Sequence, residues 1–232
     1  MRIIIVKWDR IVTQAIRAIV VRLFPRSDII IFHSGADTLV DLRKKPAQLA
    51  LVGLTLPDID GLDLVATILG EHLAQRLLVI SGRHDEHARE FTRTLPVDGF
   101  FNPTCFNHGS LPTAIRDVMN GRSFFYALPK SEYAGKNEVP LRLLLSPTEL
   151  RVFVIIGSGC DEQEAANRLD ISRHTVHTHL QHVMRKLRLH TRMEVMRAAV
   201  SRGFVRFMPG RIVCPGPDYA VAKWITNAPA VQ

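Results

Sequence analysis

The first half of the chain alternates short apolar runs with longer amphipathic segments. The apolar runs are rich in β-branched residues and contain few polar positions, which is typical of strands buried on both faces of a parallel sheet. These strands are predicted at Arg2–Val6, Asp28–Phe32, 49–52, 76–81 and 97–101. Helices are predicted at Arg10–Leu23, 35–44, 61–74 and 85–95, with a last one at 111–121. The pattern predicts a doubly wound α/β domain with a five-stranded parallel sheet.

The second half of the chain is predicted to be helical. Its one predicted strand lies in the segment GRIVCPG near its end. Residues 123–143 contain Pro129, Gly135 and Pro140 and are interpreted as a linker. Four helix starts follow, each marked by a residue that caps helices well. They are Ser146 with Glu149, Asp161 with Glu164, Ser172, and Thr191 with Glu194. Short helices and tight turns predict an all-α bundle, and the turn LDIS before the third helix favours a helix-turn-helix motif.

The third of these helices has two contrasting faces. Its apolar positions form one stripe, which is expected to pack on the rest of the bundle. The stripe consists of Val176, Leu180, Val183, Met184 and Leu187. The opposite face carries groups that can donate hydrogen bonds to base edges and phosphates, namely His174, His177, Thr178, Gln181 and Arg185. Because a helix fits the major groove of duplex DNA, this face is predicted to enter it.

The distribution of charge also indicates a polyanionic partner. The net charge is +8 over 232 residues, which alone does not separate nucleic acid from an anionic membrane surface. Residues 172–192, however, contain five Arg or Lys residues, five of the ten histidines and no acid. An ordinary solvated helix, the main alternative, usually interleaves acids with bases. Double-stranded DNA is the predicted partner, and no membrane is expected because the longest apolar runs are too short to span one.

Metal binding by the histidines of this helix is a second alternative. His174, His177, His179 and His182 could lie partly on one side of the helix, but no carboxylate or cysteine nearby in the sequence completes a set of ligands. No metal site and no cofactor are therefore predicted. The three cysteines are far apart and no secretory signal opens the chain, so the cytoplasm is the expected compartment.

Residues 145–204 resemble the LuxR-type helix-turn-helix domain of NarL/FixJ-type response regulators. The matching positions are Leu145, Ser146, Glu149, Gly159, Glu164, Ala166, Leu169, Ser172, Thr175, Val176, His179, Lys186 and Leu187. The resemblance implies contacts to base edges by His177, Thr178 and Gln181. It implies contacts to phosphates by Arg173, Thr175, His179 and Lys186. It also implies that the fourth helix, about 192–202, pairs two such domains on a two-fold DNA site.

The first half then resembles a receiver domain, the flavodoxin-like module that a histidine kinase phosphorylates on aspartate. The resemblance rests on strand order, length and the motif LPDIDG at 56–61. It implies that Gly53 occupies the acceptor position and that Lys7 and Trp8 replace the acidic pair that holds Mg²⁺. Asn102, or Pro103 in a register shifted by one, stands where a Lys is expected, and only the hydroxyl of Ser81 remains. The phosphorylation pocket is therefore predicted to be degenerate.

The loop after the third strand keeps two carboxylates, Asp58 and Asp60. Their expected roles are turn formation and capping of the helix that begins near Gly61. Without phosphorylation, such a receiver could act as a dimerisation module, or it could bind a protein or small molecule. Lys7 and Trp8 at the pocket mouth could suit an anionic aromatic ligand.

The sequence as a whole predicts a DNA-binding transcriptional regulator that works as a homodimer without phosphorylation. The predicted boundaries are 1–122 for the atypical receiver, 123–143 for the linker, 144–204 for the helix-turn-helix domain and 205–232 for an extension. Two alternatives stay open: a phosphorylation switch that uses a displaced aspartate, and an interaction protein that sequesters a partner. No nucleophile, paired acids or metal set converges in the sequence, so no enzymatic activity is expected.

Overall fold

The computed structural model describes residues 1–83, 85–88, 95–104, 110–125 and 139–214. The chain divides into two compact units, of which unit 1 comprises Met1–His84 and Leu95–Leu128 and unit 2 comprises Asp85–Thr94 and Pro129–Gln232. Most of the predicted helix at 85–95 and most of the predicted linker lie outside the described residues. None of the described helices has the length and apolar character that crossing a bilayer requires.

Unit 1 is built on a parallel sheet of six strands in the order β2-β1-β3-β4-β5-β6. The strands are β1 (Arg2–Val6), β2 (Asp28–Phe32), β3 (Ala47–Val52), β4 (Ala74–Ile80), β5 (Gly99–Phe101) and β6 (Phe124–Phe125). The predicted α/β class and parallel sheet are confirmed, whereas the prediction of five strands is wrong. The sixth strand has two residues, too few to show a hydrophobic period, and it lies within the predicted linker. Its pairing with β5 is what makes it a strand.

The helices of unit 1 are α1 (Arg10–Leu23), α2 (Gly35–Lys44), α3 (Gly61–Gly70) and α4 (Leu111–Met119). Each begins after a side chain that accepts a hydrogen bond from the first turn: Asp9, Ser34, Asp60 and Ser110 in chain order. Helix α3 ends earlier than the predicted residue 74. His72 adopts the left-handed conformation (φ 54), and the N–H of Leu73 bonds back to the carbonyl of Ile68, which closes the helix.

The carboxylate of Asp58 connects the loop after β3 to the start of α2. It accepts hydrogen bonds from the hydroxyl of Ser34 at 3.0 Å and from the N–H groups of Gly35 at 2.9 Å and Ala36 at 2.8 Å. Burial alone would raise the pKa of Asp58, but these donated hydrogen bonds outweigh it and hold the pKa below its usual range. Asp58 therefore caps α2, whereas Asp60 caps α3 as predicted.

Unit 2 is a helical bundle followed by a short hairpin. Its helices are α5 (Leu141–Leu144), α6 (Pro147–Gly157), α7 (Glu162–Leu169), α8 (Arg173–Leu187) and α9 (Arg192–Ser201). The hairpin consists of β7 (Arg206–Met208) and β8 (Arg211–Val213), which pair in antiparallel fashion. The predicted all-α bundle and the strand in the tail are confirmed, and residues 215–232 of the predicted extension lie outside the described part of the chain.

The four predicted helix starts in unit 2 are all confirmed. Ser146, Asp161 and Thr191 form complete capping boxes with the glutamates three residues later, and Ser172 caps α8 through the N–H of Thr175. Asp170, the residue after the end of α7, is left-handed (φ 53). The chain therefore changes direction over Asp170 and Ile171, just before Ser172 caps α8. This tight reversal gives α7 and α8 the helix-turn-helix arrangement, around a core centred on Val152, Phe153 and Ile156 of α6.

Replacing Asp58 with alanine is expected to lower the free energy of unfolding of unit 1 by about 1–2 kcal/mol, because three donors at the start of α2 lose their acceptor. The folded pKa of Asp58 lies below its unfolded value. Its contribution is therefore complete above the unfolded pKa and is lost as the pH falls through the folded pKa. Urea unfolding of the full chain, followed by circular dichroism at neutral and acidic pH, measures both effects.

The matched control for this prediction is Asp37→Ala, which removes an exposed carboxylate from the first turn of the same helix. Its interaction with the helix dipole predicts a loss of only about 0.3 kcal/mol. Equal losses in the two variants would contradict the capping role of Asp58.

Candidate nucleic-acid interface and receiver pocket

Helix α8 presents the two faces that its sequence predicts. Val176, Leu180 and Val183 are buried in the bundle, and Met184 and Leu187 are partly buried against the same core. The packing of the apolar stripe therefore determines which face of α8 is exposed.

The opposite face of α8 is open to solvent. It consists of His174, His177, Thr178, Gln181 and Arg185, all of which are exposed. The three residues implied to contact bases lie together on this face, and one of them, Thr178, donates its hydroxyl to the carbonyl of His174 at 3.1 Å. Imidazole, hydroxyl and amide groups at this spacing can donate to and accept from base edges in a major groove.

An acid that the sequence analysis missed lies beside this face. Glu162, in the first turn of α7, holds its Oε1 3.1 Å from Nδ1 of His177 and its Oε2 3.7 Å from Nε of Arg173. Residues 172–192 contain no acid, but the helix-turn-helix fold brings one from the preceding helix. Glu162 orients His177, and its charge must be separated from any phosphate that approaches the start of α8.

The four residues implied to contact phosphates differ in their surroundings. Arg173 is exposed at the start of α8, and Thr175 and His179 are half-buried. Lys186 donates to the carboxylate of Glu149 at 2.6 Å, so its charge is already paired. Their roles towards DNA stay predictions, with Arg173 the most accessible of the four.

Glu149 is a buried carboxylate that joins α6 to α8. Its Oε2 accepts the N–H of Ser146 at 2.7 Å as well as the ammonium of Lys186. Burial alone would raise the pKa of Glu149, but these donors outweigh it and the pKa lies below its usual range. Its Oε1 lies 3.6 Å from Nδ1 of His182. No carboxylate close to the histidines of α8 in the sequence could complete a set of ligands, but the fold brings in Glu149 from α6.

The residues of the predicted receiver pocket meet at the carboxyl ends of four strands. Lys7 follows β1, Gly53 follows β3, Ser81 follows β4 and Asn102 follows β5. The N–H of Gly53 bonds to the carbonyl of Val6, and the N–H of Ser81 bonds to the carbonyl of Phe101. Parallel strands therefore bring these side chains to one edge of the sheet, where open α/β sheets bind ligands.

Lys7 lies over the position at which an acceptor aspartate would project. A Cβ atom on Gly53 would come within 3.1 Å of Cγ of Lys7. The ammonium of Lys7 donates to the carbonyl of Ile80 at 3.4 Å. Burial lowers the pKa of Lys7, although Asp9 opposes this. The pocket therefore contains an amine in place of the carboxylates that would hold a divalent cation.

The other polar groups around the pocket are engaged in local turns. Asn102 accepts the N–H of Thr104 at 2.9 Å, and Ser81 accepts the N–H of Arg83 at 3.1 Å. Asp60 is buried, caps α3 through the N–H of Leu62, and lies 3.5 Å from the guanidinium of Arg83. Trp8, in contrast, is 46% exposed.

Comparison with known proteins assigns a family to the segment that contains α8. Residues 143–199 match the family of bacterial regulatory proteins named luxR. The chain is 29% identical over 173 residues to the probable transcriptional regulatory protein SgaR of Hyphomicrobium methylovorum, covering 74% of this chain and 79% of that protein. It is 27% identical over 170 residues to the virulence factors putative positive transcription regulator BvgA of Bordetella pertussis, covering 70% of this chain and 79% of that protein.

Solved structures share the fold of the chain. RcsB from Salmonella enterica serovar Typhimurium, bound to promoter P1flhDC in the presence of the phosphomimetic BeF3⁻, matches with a TM-score of 0.52 and 20% identity over 87% of this chain and 98% of that chain. A structure of two RcsB dimers bound to two parallel DNAs matches with a TM-score of 0.51, the same identity and the same coverage. Residues 143–199 therefore carry a domain of the luxR family of bacterial regulatory proteins, and the chain resembles transcriptional regulators over 74% of its length.

Proposed function

We propose that this regulator binds a specific duplex DNA site through the exposed face of α8. The observation that carries the proposal is the group of His177, Thr178 and Gln181, which are exposed together on a helix whose opposite face is locked into the bundle. These three residues contact base edges in the major groove. Arg173, Thr175, His179 and Lys186 contribute contacts to phosphates. His177 and Gln181 carry imidazole and amide groups, so hydrogen bonding by these groups sets the preferred sequence.

The regulator acts as a homodimer on an inverted repeat. Helix α9 exposes Met193 (63%) and Val200 (39%), which are seven residues apart and therefore lie on the same side of the helix. Pairing two copies through this apolar side would give the two-fold symmetry of such a site, with half-sites about one helical turn apart. The dimers of RcsB on DNA agree with this arrangement.

Unit 1 works without phosphorylation. Gly53 offers no group to phosphorylate, and the ammonium of Lys7 next to it repels a divalent cation. The two nearby aspartates that could substitute are both committed to helix caps, Asp58 to α2 and Asp60 to α3. The scaffold of the receiver remains, and its role is to hold two copies together and raise the effective concentration of the second DNA-binding domain.

A second role for unit 1 is binding a protein or an anionic small molecule at the pocket mouth. Trp8 and Ile11 are exposed by 46% and 85%, and Lys7, next to Trp8 in the chain, supplies a positive charge. This arrangement favours a partner with both an apolar surface and a negative charge. Sequestration of such a partner, with weak and sequence-indifferent DNA binding, is the competing account of the whole protein.

Alanine at His177 is expected to relax the preference for one base of the site, with a loss of about 1–3 kcal/mol on the preferred sequence only. Alanine at Arg173 is expected to weaken binding to all sequences and to reduce the slope of log affinity against log salt by about 1. Fluorescence anisotropy of the full-length variants on selected and base-substituted duplexes, at several salt concentrations, measures both. Gln163→Ala, an exposed change on α7, is the control. An unchanged base preference in the His177 variant would contradict its role.

Incubation with acetyl phosphate and Mg²⁺ is expected to leave the intact mass of the protein and its affinity for DNA unchanged, because no carboxylate occupies the acceptor position. Parallel samples of Asp58→Asn and Asp60→Asn identify the site if an adduct forms. A phosphoryl adduct on the natural chain that disappears in either variant would establish the displaced-aspartate switch and overturn the proposal.

A further inference from the structure

We propose that Glu149, His179 and His182 bind a divalent transition-metal ion, with Zn²⁺ as the best fit, between α6 and α8. One ligand atom from each of the three residues lies within 4.8 Å of the other two. Two imidazoles and one carboxylate are a ligand set that Zn²⁺ uses, with water in the fourth position. Imidazole ligands favour Zn²⁺ and its transition-metal neighbours over Mg²⁺ and Ca²⁺. The site lies within unit 2 and includes His179, one of the residues proposed above to contact phosphate.

The distance between two of the ligand atoms already fits a tetrahedral ion. Nδ1 of His182 lies 3.6 Å from Oε1 of Glu149, which is too long for a good hydrogen bond. Ligand atoms about 2.1 Å from a tetrahedral ion are separated by about 3.4 Å. The two side chains therefore face each other at the spacing of two metal ligands. The ligand atom of His179 lies within 4.8 Å of both of the others.

His179 supplies an observation that is independent of this distance. Its Nδ1 is buried and, among the described residues, has no hydrogen-bond partner. Buried polar atoms in folded proteins almost always have a partner, so an unpaired ring nitrogen calls for an explanation. An ion shared with Glu149 and His182 provides one, because the neutral nitrogen of an imidazole is a metal ligand.

Glu149 is held in the orientation that a ligand requires. Its Oε2 is occupied by the N–H of Ser146 and the ammonium of Lys186, while its Oε1 faces His182. Outer hydrogen bonds of this kind orient carboxylate ligands in known metal sites. The charge of Lys186 opposes the ion, and the expected affinity is therefore moderate.

The ion would connect the first turn of α6 to the middle of α8. Two of its ligands, His179 and His182, lie one turn apart on α8, and the third lies on a different helix. A bound ion would therefore restrain the position of α8 on the bundle. The stability of unit 2 would then increase with the concentration of the metal.

The test is a titration of chelator-treated full-length protein with Co²⁺, followed by competition with Zn²⁺. We expect one equivalent to bind with the visible spectrum of a tetrahedral nitrogen and oxygen site. The His182→Asn variant should bind at least about tenfold more weakly, since loss of a ligand costs no less than loss of an outer partner. The control is His190→Asn, which removes an exposed histidine in the same unit and should bind as the natural chain does.

Thermal unfolding with and without Zn²⁺ is the second measurement, and circular dichroism establishes that each variant is folded. Stabilisation by Zn²⁺ in the natural chain and in His190→Asn, but not in His182→Asn, is the expected result. Absence of binding, equal affinities in all three proteins, or thiolate-to-cobalt absorption from Cys160 or Cys214 would each overturn the proposal.

Discussion

The carboxylate of Glu149 is the buried charge on which the arrangement of the DNA-binding unit depends. Its side chain is 6% exposed, and an unpaired charge at such a position would cost several kcal/mol. Its two hydrogen-bond donors belong to different helices. They are the N–H of Ser146 at the start of α6 and the ammonium of Lys186 near the end of α8. The orientation of α8 is therefore tied to α6 by charge as well as by apolar packing. The exposed face of α8 is consequently presented in one direction, which reading a base sequence requires.

Unit 1 also holds a charged side chain at an important position, but there the charge is positive. The side chain of Lys7 lies next to Gly53 at the carboxyl ends of the strands. The two carboxylates that remain nearby, Asp58 and Asp60, each accept hydrogen bonds from a helix start. A carboxylate that caps a helix in this way is stabilised as an anion and is held in place, which makes it a poor nucleophile towards a phosphoryl group. The caps and buried strands of unit 1 therefore form without a carboxylate at position 53.

Features encoded within a few residues could be predicted from the sequence, and features that join distant segments could not. The capping boxes at Ser146 and Thr191 could be predicted because each partner glutamate lies three residues later, within one helical turn. The end of α3 is not, because it depends on a left-handed His72, a residue type that gives little signal for that conformation. The first strand of the hairpin, β7, and the short β6 were likewise too brief to show a period. The most consequential omissions are Glu162 beside His177 and Glu149 beside His182, since each acid comes from another helix and only the bundle brings it close.

The proposed function requires sequence-specific DNA binding by the protein as synthesised, without a phosphodonor. The most direct measurement is the equilibrium affinity of untreated full-length protein for a duplex selected by that same protein, compared with a scrambled duplex at the same salt concentration. We expect the selected duplex to bind at least about 10³-fold more tightly than the scrambled duplex. Similar affinities for the two duplexes would contradict it and would favour a protein whose main partner is not DNA.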